Sequence, residues 1–468
     1  MVFLFIGGPI NIYFYIPTKK FDDWLQHPFL VPKSSSFLSS ASTSPVSITN
    51  TTSQGMGMGE VRTQDLAQRK SLTHFLSFAD LFPFLFDRGH SSRYHTHECH
   101  LSYFLLDQFA PPIYASNLLF YSTQEAASIS ISQRSQVLKQ SLSRTLTLYY
   151  PFAGRNIDNF SIDCNDEGIS YTMAKVSCKL SDYLKQPDFS KFPKFMPEEI
   201  ILCEMTPGCH LVKIQETMFA CGGFAIGFGT AHNIIDATSM MPFLNTWGSM
   251  AREGVALSPD FNCSYIFPRN STFPQDLTLL ALTNRLYQEK GVFVGRRFVF
   301  EGPMMSNLKA KASRLGVQKP TRAEVVVALL FKCIMFASKA KFGAKKKSAL
   351  LSTSVNFRRR AEPKFPQTSV GNIILLATIT TNSDETDAGT YSIDFGWGKP
   401  LWFPAFGSAL GISGSVIQLV DTRSGIGIEA WVSLDEEIMT MVEHDKELLS
   451  VASVDPIPLE IDLLKSRL

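Results

Sequence analysis

The stretch Cys221-Gly-Gly-Phe-Ala-Ile-Gly-Phe-Gly-Thr-Ala-His232-Asn-Ile-Ile-Asp236-Ala-Thr-Ser constrains the fold more than any other. From Phe224 to Thr230 large apolar residues alternate with small ones. That period of two requires a strand with one face approached closely by its neighbours. Gly222 and Gly223 ahead of it form a tight hairpin with an apolar run at Leu211–Phe219. His232 follows the strand at once, so it stands on a turn. Thr238 or Ser239 is placed to cap a helix running to about Arg252. An imidazole at a strand end, with a carboxylate four residues on, suits general-base chemistry. A satisfied buried histidine would show the same spacing.

The chain has 468 residues, 45% hydrophobic and 18% charged, which is globular composition with room for two domains. A net charge of +2 gives no electrostatic footprint for nucleic acid. The basic run from Lys339 to Lys347 reads as a solvated loop after a helix, or as a neighbour of a phosphate-bearing ligand. The 8 cysteines are spread singly, without a Cys-x-x-Cys pair. That fits a reducing compartment, and the cytoplasm is the expected location. The sequons at Asn50, Asn159, Asn262 and Asn270 are not read as secretion. His90, His95, His97, Cys99 and His100 crowd one stretch but lack the paired, separated spacing of a zinc site, so no metal is expected.

Residues 1–59 differ from the rest. Val2-Phe-Leu-Phe-Ile6 is apolar but short, no basic segment precedes it, and no apolar run is long enough to span a bilayer. Ser34–Gly59 is rich in serine and threonine. The stretch reads as a disordered or non-native extension, with Met56 and Met58 as alternative starts. Beyond it strands and helices interleave without a strict βαβ period, which gives an α/β fold with mixed sheets. Gln133–Tyr149 is an amphipathic helix capped by Ser132. Strands are expected at Ser161–Ile162, Ile169–Met173, Arg296–Phe300, Leu350–Asn356, Ile373–Thr380 and Ile426–Val432. Helices follow at Ser306–Ser313, at Glu324–Ala337 under a Thr321 cap, and at Leu434–Leu449. Residues 60–257 form a first domain, 258–295 a crossover and 296–468 a second, shortened domain.

Asp394-Phe395-Gly396-Trp397-Gly398, with His232-x-x-x-Asp236 upstream, resembles the BAHD family of plant acyl-CoA-dependent acyltransferases. Leu-Leu-Asp107-Gln, Tyr150-Pro-Phe-Ala-Gly154-Arg, Phe219-Ala-Cys-Gly-Gly223, Pro320-Thr-Arg322, Asn356-Phe-Arg358 and Gly371-Asn372 support the likeness, which runs from about Leu101 onward. The Phe-x-Cys-Gly-Gly form is most similar to the vinorine synthase group, acetyltransferases of alkaloid and terpenoid alcohols. The resemblance implies two chloramphenicol-acetyltransferase-like domains with a tunnel between them. It implies a monomeric enzyme with acyl-CoA, chiefly acetyl-CoA, as co-substrate. No tightly bound cofactor, nucleic acid or membrane is expected. His232 would take the proton from an acceptor hydroxyl, whose oxygen attacks the thioester directly. Asp236 would point away from the chemistry and pair with Arg358. Asp394, Phe395, Gly396, Trp397 and Gly398 would be structural, and Lys309 would contact a CoA phosphate.

Three departures qualify that picture. Ala237 replaces a usual glycine. The family's N-terminal strand before Leu101 is not recognisable, so the first sheet is expected to lack a strand. Only residues 373–393 separate Gly371-Asn372 from Asp394, where the family carries a much longer segment. That segment includes a hydroxyl thought to steady the oxyanion, and losing one such donor typically costs about 10²–10³ in rate. The alternative is therefore a catalytically impaired relative of the same fold that at most binds ligands. A Cys221–His232 hydrolase is disfavoured because Cys221 lies at a hairpin with no helix N-terminus expected beside it. The Asp394-Phe-Gly triplet lacks the His-Arg-Asp loop of a kinase.

Overall fold

The structure is a computed structural model. It describes residues 2–7, 72–76 and, with interruptions, 100–458, the wider gaps being 123–129, 270–291, 343–349, 379–394 and 403–414. The strands in chain order are β1 (Val2–Gly7), β2 (Leu72–Leu76), β3 (His100–Ser102), β4 (Tyr114–Tyr121), β5 (Arg155–Asp158), β6 (Ser161–Asp163), β7 (Ile169–Lys175) and β8 (Val212–Met218). They continue with β9 (Phe224–Ala231), β10 (Phe293–Phe300), β11 (Leu350–Asn356), β12 (Ile374–Thr378), β13 (Ser415–Asp421), β14 (Ile428–Asp435) and β15 (Ser453–Val454). The helices are α1 (Ile131–Leu148), α2 (Leu180–Lys185), α3 (Ala237–Ala251), α4 (Gly302–Arg314), α5 (Arg322–Phe342), α6 (Glu436–Val442) and α7 (Lys446–Leu449).

The first half is a mixed sheet in the order β2-β7-β8-β9-β4, parallel only between β7 and β8. Leu138, Leu142 and Leu146 of α1 and Phe243, Leu244 and Trp247 of α3 are buried in the core shared with this sheet. Trp247 ties the two helices by donating Nε1–H to the Leu138 carbonyl at 3.0 Å. The alternation in β9 has a direct cause. A side chain on Gly227 would overlap the Phe195 carbonyl, and one on Gly229 would overlap Ile200. The segment around Phe195–Ile200 thus lies flat on that face, where only glycine admits it.

The second half is the sheet β12-β11-β1-β13-β14-β10-β15. Ile417, Leu419, Ile428, Ala430, Val432 and Leu434 share a buried core with α4, α5 and α6. Trp431, on the opposite face of β14, packs with Phe189 and Trp402 and belongs to the core of the first half. An aromatic seam therefore joins the two halves. Among the described residues, no helix is long and apolar enough to cross a membrane.

Several expectations are corrected. Val2–Gly7 is not outside the fold. It is the strand between β11 and β13, antiparallel to both, with Phe5 opposite Ser352 and Val416. Its ladder bonds to both neighbours make it an interior strand of that sheet. The first sheet does have a strand before Leu101, β2, paired along β7 at the edge. Residues 296–468 do not stay within the second half. Phe120 of the edge strand β4 donates its N–H to the Trp402 carbonyl at 3.1 Å, and Leu401 N–H donates to the Phe120 carbonyl at 2.7 Å. An open strand edge needs such partners. Ser130 caps α1, with Gln133 completing a capping box, because the helix begins at Ile131, two residues before the expected start at Gln133. The expected single helix 434–449 is broken, since Asp435 and Asp445 each accept backbone N–H groups and start α6 and α7 afresh. Thr321 caps α5 as read, in a reciprocal pair with Glu324.

Candidate active site

His232 stands on the turn between β9 and α3. Its own peptide groups are held on both sides. The N–H donates to the Ile113 carbonyl at 2.8 Å, and the carbonyl accepts from Asn372 Nδ2 at 2.8 Å. The residue as a whole is partly exposed, while Nδ1 is buried and has no hydrogen-bond partner. Burial lowers the pKa of His232, against smaller opposing effects of its own backbone carbonyl, the Asp236 charge and the Asn372 side chain. The imidazole is thereby favoured in its neutral form, the state in which it can accept a proton.

Asp236 is the N-cap of α3, in place of the expected Thr238 or Ser239, and takes the Ser239 N–H at 2.8 Å. Its carboxylate meets Arg358 in two bonds, 2.7 Å from Nη1 and 3.1 Å from Nη2. Both side chains are buried. The same carboxylate accepts the Ile373 N–H at 3.0 Å. Arg358 Nε donates to the Ser369 carbonyl at 3.3 Å, and Nη2 shares its hydrogens among Asp236 and the carbonyls of Ser369 and Gly371, the last two at 3.0 and 3.1 Å. A desolvated ion pair persists when its other donors and acceptors are satisfied, and this one is.

Gly371-Asn372-Ile373, the segment leading into β12, therefore lies between two carboxyl groups. Asp236 holds Ile373 from one side. Asp107 holds Asn372 from the other, its Oδ1 accepting both the backbone N–H at 2.8 Å and Nδ2 at 2.9 Å. Asp107 is buried, and burial pushes its pKa up to about 8. It also lines a small cavity with Tyr103, Phe104, Ile234 and Val370. Sequence reading used Asp107 and Asn372 only as supporting matches and assigned them no place at the site. The adjacent Gly371-Asn372 pair was the available signal.

The other candidates lie apart. Phe395 is buried edge-on against Trp247, with centroids 4.6 Å apart, and against Tyr121 at 5.7 Å. It fills the first half's core behind α3, and Gly396 beside it has φ +106°. Asp394, Trp397 and Gly398 lie outside the described residues, as do His90, His95, His97 and Cys99. Lys309 is partly exposed on α4, which packs on α5. Cys221 does have a helix start beside it, since Leu180 N–H of α2 reaches its Sγ at 3.4 Å. It is nonetheless at the opposite end of β9 from His232, about 27 Å away at strand rise, so the two cannot form a dyad.

A protein-family model described as the Transferase family matches residues 91–388 and 380–449. Limonoid 7-O-acetyltransferase of Citrus sinensis is 36% identical over 432 aligned residues, covering 76% of this chain and 94% of that one. Since 76% of 468 residues is fewer than 432, part of that enzyme has no counterpart here. The family match breaks in two within the shortened segment before Asp394. The crystal structure of vinorine synthase superposes with a TM-score of 0.65 at 27% identity, over 82% of this chain and 99% of that one. F. sporotrichioides TRI101 in complex with coenzyme A and T-2 shares the fold, with a TM-score of 0.57 at 14% identity over 76% of this chain and 99% of that one.

Proposed function

The chain belongs to the BAHD acyl-CoA-dependent acyltransferase family, and from that premise we propose that it transfers an acyl group, chiefly acetyl, from coenzyme A to a hydroxyl of a plant alkaloid or terpenoid. His232 is the general base. Its unprotonated imidazole takes the proton from the acceptor hydroxyl as the oxygen attacks the thioester carbonyl. The tetrahedral adduct collapses, the carbon–sulfur bond breaks, and the imidazolium gives its proton to the leaving sulfur, which releases coenzyme A as the thiol and restores the neutral base. Asp236 and Arg358 act by keeping the turn rigid, so that the ring is already aimed when the substrates meet. The observation that carries this reading is the lowered pKa of His232 on a turn whose own N–H and carbonyl are both bound.

Acyl-CoA is a diffusible co-substrate in this proposal, with Lys309 contacting a phosphate of coenzyme A and no tightly bound cofactor. Asp394–Gly398 is structural, and the burial of Phe395 supports that. The protein acts as a monomer in the cytoplasm, a compartment that the singly spaced cysteines favour.

A second reading is an impaired relative that retains the fold and binds ligands without turnover. The family match in two pieces favours it. Radiolabelled acetyl-CoA with a panel of alkaloid and terpenoid alcohols separates the two. The first reading expects transfer by the full chain and a loss of about 10²–10⁴ in rate for His232→Ala. A folded full chain that binds acetyl-CoA without transfer to any member supports the second.

A further inference from the structure

His232 is joined to a second carboxyl group besides Asp236, through an amide contributed by the other half of the chain. Asn372 has two Nδ2 hydrogens, and both are used. One goes to the His232 carbonyl at 2.8 Å and one to Asp107 Oδ1 at 2.9 Å. The backbone N–H of Asn372 reaches the same oxygen at 2.8 Å, so its amide plane is fixed at both ends. Asn372 lies 265 positions from Asp107 and 140 from His232. Asn372 Oδ1 and His232 Nδ1 are both buried without a partner, so the geometric link from the amide to the histidine is the bond to its carbonyl. The amide thus holds the histidine at its carbonyl.

We infer that Asn372, anchored by Asp107, is a positioning residue for His232 that sets where the imidazole leaves the main chain. The inference rests on His232 being the base of the transfer. Geometry supplies the reason. A rotation about the 232 peptide swings the ring, and a displacement of about 1 Å at a catalytic group typically costs about 10²-fold in rate. The Ile113 carbonyl restrains only the N–H side of that residue. Asn372 restrains the side from which the chain turns into α3.

The link also carries a pH signature. The titratable groups that bear on Asp107 are Asp236, Tyr103 and Cys263. Asp236 raises the Asp107 pKa, and burial raises the pKa of the Tyr103 phenol and the Cys263 thiol, so neither supplies a charge near neutrality. Asp107 is therefore the group of this link that ionises near pH 8. Below that pH its carbonyl oxygen accepts from Asn372 as a neutral acid. Above it the same bonds become charge-assisted and shorter.

Two measurements test the inference on the full chain. The first follows the His232 imidazole by NMR in ¹⁵N-histidine-labelled protein, assigned by its loss in His232→Ala. Asn372→Ala should lower the titration midpoint of that signal. The second is acetyl transfer to an alcohol accepted in the panel above. Asn372→Ala and Asp107→Ala should each reduce kcat by about 10–100-fold with KM changed by less than about 3-fold. Asp107→Asn, which keeps an acceptor oxygen, should recover much of that loss below pH 8 and fall behind wild type above it. An unmoved His232 midpoint in a folded Asn372→Ala protein overturns the inference, whether or not transfer is detected. A wild-type protein without transfer whose midpoint still moves discredits the base mechanism and leaves the link standing. A kcat that follows only the fraction folded, with an Asp107→Asn ratio flat in pH, overturns it as well.

Discussion

Gly371 lies against the ring of Phe104 at φ +134°, in a conformation and a space that exclude any side chain. Its carbonyl is the point where Arg358, Ser239 and the N–H of Asp236 converge. Gly371→Ala therefore meets backbone strain and overlap with Phe104 at once. We expect a loss of about 2–4 kcal/mol, from the cost of a side chain in this region of φ plus overpacking. Urea unfolding measures it. A loss under about 0.5 kcal/mol would show that the segment yields easily and is no clamp.

Arg358→Met leaves Asp236 buried without its cation and should cost about 3–5 kcal/mol. The double variant Asp236→Asn/Arg358→Met removes the stranded charge as well. It should be destabilised by clearly less than the two single losses added together. Arg358→Lys should resemble Arg358→Met more than wild type, because one ammonium cannot span two carboxylate oxygens and two carbonyls. Strict additivity in the cycle would dissociate the pair from the stability of the turn.

The pH dependence of His232 has a definite sign. Burial holds the folded pKa of His232 below its ordinary value of about 6.5. As pH falls through 6.5 the unfolded chain takes up the proton first, so His232 contributes a loss of stability with acidification. The folded enzyme keeps its imidazole neutral over the same interval. The acid limb of kcat/KM should thus lie below pH 6.5, and a limb above 6.5 would contradict the site's electrostatics.

Removal of residues 2–9 should be far more damaging than the loss of a tail. It takes away β1 and leaves the facing edges of β11 and β13 without their ladder bonds. Exposed edges of this kind pair with other chains. The truncated protein should aggregate or lose its cooperative thermal transition, seen by size-exclusion chromatography and circular dichroism. A monomeric product with an unchanged transition would mean that β1 is dispensable to the sheet.

Local features of the chain were legible because their causes are local. Alternation in Phe224–Thr230, the Gly222-Gly223 hairpin and the Thr321–Glu324 cap each depend on residues within one strand or turn. They placed His232 at a strand end, and the matching motifs pointed to Arg358 as the partner of Asp236. Helix starts were less exact. Ser130, Asp236, Asp435 and Asp445 took the caps because each accepts the free N–H groups of the turn that follows.

The sequence by itself determined the strand, the turn and the histidine upon it. Only the tertiary structure decided that Val2–Gly7 joins the second sheet, that Trp402 closes the edge of β4, and that Asp107 reaches His232 through Asn372. Patterns of burial repeat every two to four residues and can be read along the chain. Buried donors and acceptors must also be satisfied. Which distant group satisfies each of them is fixed only when the chain closes on itself.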